Sequence, residues 1–410
     1  LRESGYPFDF APVMASGLRT DNGPPNEAVL DQIDRWNREH GDVVRIEMAT
    51  LETFFDRLRS QTDELPVHRG DWPDWWSDGA ASVPGTVRLF RAAQRDYERL
   101  ASDPGIERDL ALFAEHTFSH SDSMSSPWFE MVHAIDHHKA AYVARAAAAI
   151  QDRLDCSVLR PGLPLRYRVT NPHDHAVRGF ARLEVGHHEF HERDLDQGFE
   201  VEGLACELRL VPRGAEFVVP LELGPGEERV LALTPVRRER PDPRPCEPFD
   251  WAGLLQADHP HAPFQPVHDR TPVEDRSRVC TVRGEMVLNR KGPGAIQSAG
   301  RLARSEAVRG EVFERTTLEY EVAGSDWFEI EIRRHESRAD ISVRMHKLGT
   351  WEPENLYLAL PFGPGQLWLD KAGAAVRPRI DQLPGTLSDF YAVQAGVAWI
   401  RDGFGVALSM

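Results

Sequence analysis

Residues 65–100 read LPVHRGDWPDWWSDGAASVPGTVRLFRAAQRDYERL, and this stretch is the hinge on which the fold turns. Between positions 71 and 78 it sets Trp72, Trp75 and Trp76 among Asp71, Asp74 and Asp78. A core takes tryptophans without acids, and a solvated loop takes acids without tryptophans. Carbohydrate-binding surfaces use both: aromatic faces stack on the apolar faces of sugar rings, while carboxylates bind hydroxyls or carry protons. The plainer alternative is a surface turn whose tryptophans cover neighbouring helices. After Pro84 the pattern becomes helical, with Phe90, Ala93, Tyr97 and Leu100 on one face.

Upstream, residues 1–62 read as a βαβα unit. FDFAPVMAS is a strand pattern, and Asn26 can cap a helix that places Val29, Ile33 and Trp36 on one side. DVVRIEMA reads as a second strand. Thr50 caps a second helix carrying Leu51, Phe54, Phe55 and Leu58 on a stripe. Alternating strands and helices imply a parallel sheet with functional loops at the C-terminal ends of its strands, and the turn holding Asp21 is such a loop.

Downstream of residue 83 the spacing predicts three helices, the third opened by Ser126-Pro127, and short connections suggest an antiparallel bundle. From about residue 156 the texture turns to short alternating runs split by Gly and Pro, which predicts strands. Residues 237–278 are rich in Pro, Arg, Asp and His and read as a linker or loop. Strand patterns then resume to the end, in the manner of a large antiparallel sandwich. Leu1 opens inside a strand pattern and GFGVALSM closes inside another, so the chain is expected to be a piece of something longer.

The 410 residues carry 48 basic and 65 acidic side chains, for a net charge of −17. That charge argues against nucleic acid or anionic membrane as partner. No apolar run approaches membrane-spanning length. Cys156, Cys206, Cys246 and Cys280 are scattered singly, which fits neither a zinc knuckle nor a dense disulfide framework and leans toward a cytoplasmic location. No Gly-rich phosphate loop follows a strand and no G-x-S-x-G occurs.

Among the histidines, His116 lies in LALFAEHTFSHSDS beside Glu115 and near His120 and Asp122. Two imidazoles and carboxylates there could hold a metal, provided the helix continues to residue 120. His133, His137 and His138 in HAIDHHKA, and His187, His188 and His191 in GHHEFHERD, read as solvated faces.

The order of these pieces resembles family 38 glycoside hydrolases, the α-mannosidase family, in a divergent bacterial branch. SGLRTDNGPPNEAVLDQIDRWN resembles the loop where the family presents a substrate-contacting acid, which falls on Asp21. The stretch around 71–78 looks like the family's Gly-Asp-aromatic segment, which places Asp71 as the general acid/base. The sugar-flanking aromatic then falls on Trp76, with Trp72 and Trp75 beside it. LFAEHT resembles the family's Leu-Phe-x-His-His-Asp motif, whose metal-binding His falls on His116. Glu115 and Thr117 depart from that motif. The family's His-x-His-x-Asp motif and its nucleophilic Asp belong to upstream segments that this sequence does not contain.

The resemblance implies a multidomain α+β fold: the end of a (β/α)7 catalytic barrel over 1–82, a three-helix bundle over 83–155, a β-sandwich over 156–236, the linker 237–278, and a truncated mutarotase-like supersandwich over 279–410. The implied activity is a retaining, metal-dependent α-mannosidase that uses a divalent ion, zinc. This chain alone is expected to be inactive for lack of the nucleophile. The implied partner is a carbohydrate substrate, with neither nucleic acid nor membrane, and assembly into a homo-oligomer stays open. The competing expectation is a non-catalytic sugar-binding or scaffold protein. A third is another metal hydrolase built on His116, His120 and Asp122.

Overall fold

Two helices organise the first 69 residues. In the computed structural model α1 spans Ala28–His40 and α2 spans Leu51–Gln61. Thr50 caps α2 as expected, its Oγ1 accepting from the Thr53 amide at 3.2 Å, whereas the N-cap of α1 is Glu27 and Asn26, one position earlier, accepts from the Ala28 amide at 3.0 Å. The structure describes residues 3, 5–14, 26–62, 67–73, 75–118, 126–154, 165–186, 199–211, 214–236, 242–275, 295–363, 365–388 and 390–410. Two compact units result, residues 1–69 and 70–410.

Within the first unit, neither 6–14 nor 42–49 forms the expected strand. A strand needs a ladder partner for its backbone groups, and here side chains take that place. Trp36 Nε1 donates to the Val44 carbonyl at 2.8 Å, and Asn37 exchanges two bonds with the backbone of Ile46. The segment before α1 packs on α2 through aromatic contacts, with Phe10 and Phe54 ring centroids 5.6 Å apart, and through Gln61, which donates to Asp9 at 2.9 Å.

In the second unit, α3 (Pro84–Tyr97), α4 (Pro104–Ala114) and α5 (Glu130–Leu154) pack around Ala93, Ile106, Leu110, Ala146 and Ile150. Asp103 caps α4 by accepting from the Gly105 and Ile106 amides, with Pro104 in the first turn. The third helix starts later than expected: Ser126 and Pro127 lie in a turn closed by the Phe129 amide on the Ser126 carbonyl, and α5 begins at Glu130. Helix α5 is long, but no helix among the described residues is long and apolar enough to cross a membrane.

The rest is antiparallel sheet. The strands are β1 (Leu165–Thr170), β2 (Val177–Gly186), β3 (Phe199–Val201), β4 (Glu207–Val211), β5 (Gly214–Leu223), β6 (Glu228–Pro235), β7 (Arg244–Pro245), β8 (Pro266–Arg270) and β9 (Ile296–Ala299). They continue with β10 (Arg301–Arg309), β11 (Glu314–Glu321), β12 (Ser325–His335), β13 (Arg338–Lys347), β14 (Glu354–Leu358), β15 (Gln366–Lys371), β16 (Ala374–Val376), β17 (Gly396–Arg401) and β18 (Phe404–Ser409). The fold is therefore mixed α+β, with five helices and eighteen strands among the described residues.

Sheets β1-β6-β3 and β2-β5-β4 share one core of Leu183, Val185, Val201, Phe217, Val219 and Leu233. Strand β5 reads GAEFVVPLEL, with a continuous apolar run over FVVPL because both of its faces are covered there. Phe217 and Val219 enter that core, while Val218 packs on Val312 and Phe313. The same second face carries Glu216, buried beside Arg209, Glu331 and Arg333.

A second core joins the five-stranded sheet β13-β12-β11-β10-β7 to later strands through Tyr320, Phe328, Ile330, Phe362 and Trp399. The described part of 237–278, expected as a linker or loop, is mostly without regular structure, but it is packed against the fold and contains strand β8. Trp251, Leu254, Leu255 and Phe264 pack into this core, and β8 is the central strand of the sheet β14-β8-β9. Its sequence, PVHDR, hides the strand because His268 and Asp269 are buried polar residues. The strand expected at TVRGEMVLN lies outside the described residues.

Candidate functional site around Asp71

Asp71 follows Gly70, whose φ of +140° is strained for any other residue and whose missing Cβ would meet the Asp381 carbonyl oxygen at 3.0 Å. That close approach lets the Asp71 amide donate to the Asp381 carbonyl at 2.7 Å, while the Leu383 amide donates to the Asp71 carbonyl at 2.9 Å. The result is a parallel bridge between Asp71 and Gln382. The receiving segment is itself braced. Arg377 holds Asp381 through its guanidinium, Tyr391 donates to Gln382 at 2.8 Å, and Gln382 donates to Thr386 and to the Leu387 carbonyl. The Arg377 hydrogen bonds bring the Asp381 carboxyl down to about 2.

The Asp71 side chain is 23% exposed, and its Oδ2 sits 3.2 Å from Lys371 Nζ at the end of β15. That oxygen is buried and makes no hydrogen bond of good geometry. The carboxylate is thus held beside one cation, with acceptor capacity left over. Trp72, next in the chain, is 76% exposed, so it does not wall Asp71 off from water as a desolvating neighbour would. Trp75 opens a 3₁₀ helix, Trp75–Ser82, but the side chains of Trp75 and Trp76 lie outside the described residues. Asp21 lies outside them too.

The 3₁₀ helix leads to the second piece of the expected site. Gly79 approaches Phe118 so closely that a Cβ would come within 2.8 Å of the Phe118 Cβ. Phe118 belongs to the corner after α4 that carries His116. The helix ends at Ala114 and does not continue to residue 120, so the i, i+4 pairing of His116 with His120 has no helical basis; His120 and Asp122 fall outside the described residues.

Glu115 and Thr117, the two departures from the family motif, have structural work. Glu115 accepts from the Thr117 hydroxyl at 2.8 Å, from the Thr117 amide at 3.0 Å and from Lys139 at 3.0 Å. Lys139 is buried, also donates to the Glu115 carbonyl, and lies over the Phe118 ring at 4.8 Å. Burial pushes the Glu115 carboxyl up, but the Thr117 and Lys139 bonds outweigh it and bring the group from 4.5 to about 2.

His116 Nδ1 is 2.6 Å from Glu115 Oε1, and both side chains are substantially exposed. One imidazole and one carboxylate already engaged by Lys139 fall short of the about four ligands zinc takes. Among the described residues no group of three or more His, Cys, Asp or Glu could hold a metal ion. His133, His137 and His138 are exposed on α5, as expected of a solvated face. Cys246 is a free thiol.

The signal that sequence reasoning missed is the contribution of the C-terminal strands. Lys371 and the 377–391 segment lie some 300 positions from Asp71, and no local pattern links them. With this geometry in view, no family model and no curated protein sequence matches the chain.

Proposed function

We propose that the chain is the later part of a retaining α-glycosidase of the family 38 type, acting on α-mannosides or related α-glycosides, with Asp71 as the proton carrier. In this reading α1 and α2 are outer helices from the end of a (β/α)7 barrel, the three helices of the second unit form the bundle, and the strands form the sandwich and supersandwich that follow. The observation that supports it is the placement of Asp71: its backbone is anchored on both sides, and its carboxylate is half-buried with acceptor capacity unused. A general acid must keep a fixed position relative to the glycosidic oxygen, and an anchored loop supplies that.

In retaining hydrolysis two carboxyls about 5 to 5.5 Å apart divide the work. One attacks the anomeric carbon as the other protonates the departing oxygen; the second then takes a proton from the incoming water. Asp71 performs the proton steps, and the tryptophans of the loop hold the sugar. The nucleophile comes from the upstream part of the longer protein. A bound divalent ion would hold ring hydroxyls, but it requires donors in addition to His116.

The test is hydrolysis of an aryl α-mannoside by the longer protein and by its Asp71→Asn variant. Loss of turnover with retained binding is expected. A second reading, a sugar-binding scaffold, draws on the Asp71–Lys371 pair, which would equally tether two segments. Near-full turnover in Asp71→Asn, or none in the parent, favours that one.

A further inference from the structure

Asp269 lies on β8, the central strand of the sheet β14-β8-β9, and is only 2% exposed. Neither oxygen of its carboxylate has a hydrogen-bond partner, and no basic side chain among the described residues pairs with it. A buried carboxylate left alone is strongly destabilising, so such a group points to something that sits against it. Water can fill its lone pairs but cannot offset its charge.

The register of the sheet decides what shares its surroundings. Asp269 is paired with Asn355 of β14 on one side and with Gln297 of β9 on the other. Directly paired residues present their side chains on the same face, with Cβ atoms about 4.5–5.5 Å apart. His268 and Arg270, one position to either side, belong to the opposite face. There His268 Nε2 lies 2.8 Å from Glu354 Oε2, and Arg270 pairs with Glu352 at 3.0 Å. The Asp269 face thus lines up one carboxylate and two side-chain amides, all oxygen donors, away from the imidazole and guanidinium of the same strand. Burial is graded along this row: Asp269 is buried, Asn355 half-buried and Gln297 exposed, so the row opens to solvent at β9.

From this row we infer that Asp269, Asn355 and Gln297 form a binding site for a divalent cation of the calcium class. Hard cations take carboxylate and amide oxygens, and calcium accepts about six to eight of them in flexible geometry, with water completing the shell. The row has neither the imidazole nor the thiolate that zinc favours. The ion supplies the charge that the carboxylate lacks. A single carboxylate among neutral amides makes a low-charge site, which sets the affinity on the order of 10⁻⁴ M. The site shares no residue with the Asp71 loop or the His116 corner and does not rest on the reading given to either.

The test is titration of the full chain, stripped with EDTA, with calcium chloride in isothermal titration calorimetry, with the melting temperature followed alongside. One saturable site with a Kd on the order of 10⁻⁴ M is expected, and about 10 mM calcium raises the melting temperature by several degrees. Asp269→Asn keeps the shape and removes the charge. It weakens binding about tenfold or more, and in EDTA it melts no lower than the wild type, because the buried charge is gone. Gln297→Ala, at an exposed position, weakens binding about threefold or more. Terbium gives a second readout: Tyr357 follows Asn355 by two positions on the same face, about 7 Å along the strand, so exciting its ring sensitises the bound ion and calcium competes the signal away. The proposal is overturned if the wild type shows no saturable calcium binding, or if calcium leaves its melting temperature unchanged. It is also overturned if Asp269→Asn binds as the wild type does, the result that diffuse attraction to an acidic surface gives. Should Asp269→Asn fail to fold, Gln297→Ala decides, and an unchanged affinity there overturns the proposal.

Discussion

The Asp71 loop and the Trp128–Trp351 pair both set large aromatic side chains at the surface, but the chain assembles them in opposite ways. In the loop, acids and tryptophans are neighbours in sequence, and the fold then separates their surroundings: Asp71 is tied to the 381–383 backbone and Lys371, while Trp72 stands in solvent. In the pair, Trp128 and Trp351 are more than two hundred positions apart and meet edge to face. Adjacency in sequence marks a candidate; only long-range packing decides which of its groups share an environment.

The largest effect that could break the comparison is on turnover. On the proposed reading, Asp71→Asn in a chain that carries the upstream part of the barrel is expected to lower kcat by roughly 10²–10⁴-fold, with little change in KM, as for loss of a general acid. A reduction of less than tenfold in a steady-state assay would leave the loop as a binding surface only.

The next effect is on stability. Lys371→Met leaves the partly buried Asp71 carboxylate without its cation and is expected to cost about 1–3 kcal/mol in urea unfolding. Adding Asp71→Asn to that variant should recover much of the loss, because an amide no longer needs the ammonium. Additive losses would show that the pair does not couple. By contrast, Trp72→Ala should change stability by less than about 0.5 kcal/mol, since its side chain packs little.

A pH dependence sharpens the view of the His116 corner. Glu115 titrates at about 2 in the folded chain against an ordinary 4.5, so its contribution is present above 4.5 and is lost as pH falls toward 2. Glu115→Gln should therefore lower the urea midpoint near neutral pH, and the gap to wild type should close across that acid window. A gap that persists at pH 2 would mean that the carboxylate's bonds to Lys139 and Thr117 do not stabilise the corner.

Helix positions were legible where a local signal exists. Thr50, Asp103 and Pro104 mark helix starts, and Phe90, Ala93, Tyr97 and Leu100 mark a buried face. Alternating strands such as β2 and β12 were legible for the same reason. Strand β10, RLARSEAVR, was not, because it is held by ion pairs such as Arg304 with Glu319 across the ladder rather than by an apolar face. Strand β8 was missed because its His268 and Asp269 are buried, a placement that composition argues against. The two strand patterns of the first unit failed in the other direction: apolar alternation was present, but Trp36 and Asn37 occupied the backbone groups that a ladder would have used.

By itself the sequence determined the α+β class, the three packed helices, most of the strands and Asp71 as the residue to watch. Each of these rests on spacing within a dozen positions, where the geometry of helix and strand is repetitive. Tertiary structure alone decided that Lys371 and residues 381–383 hold Asp71, that Trp72 faces water, that Glu115 serves Lys139, and that Trp128 and Trp351 meet edge to face. Those outcomes depend on contacts between residues far apart in the chain, and the energy of such contacts appears only once packing has set their distance and their exposure to solvent.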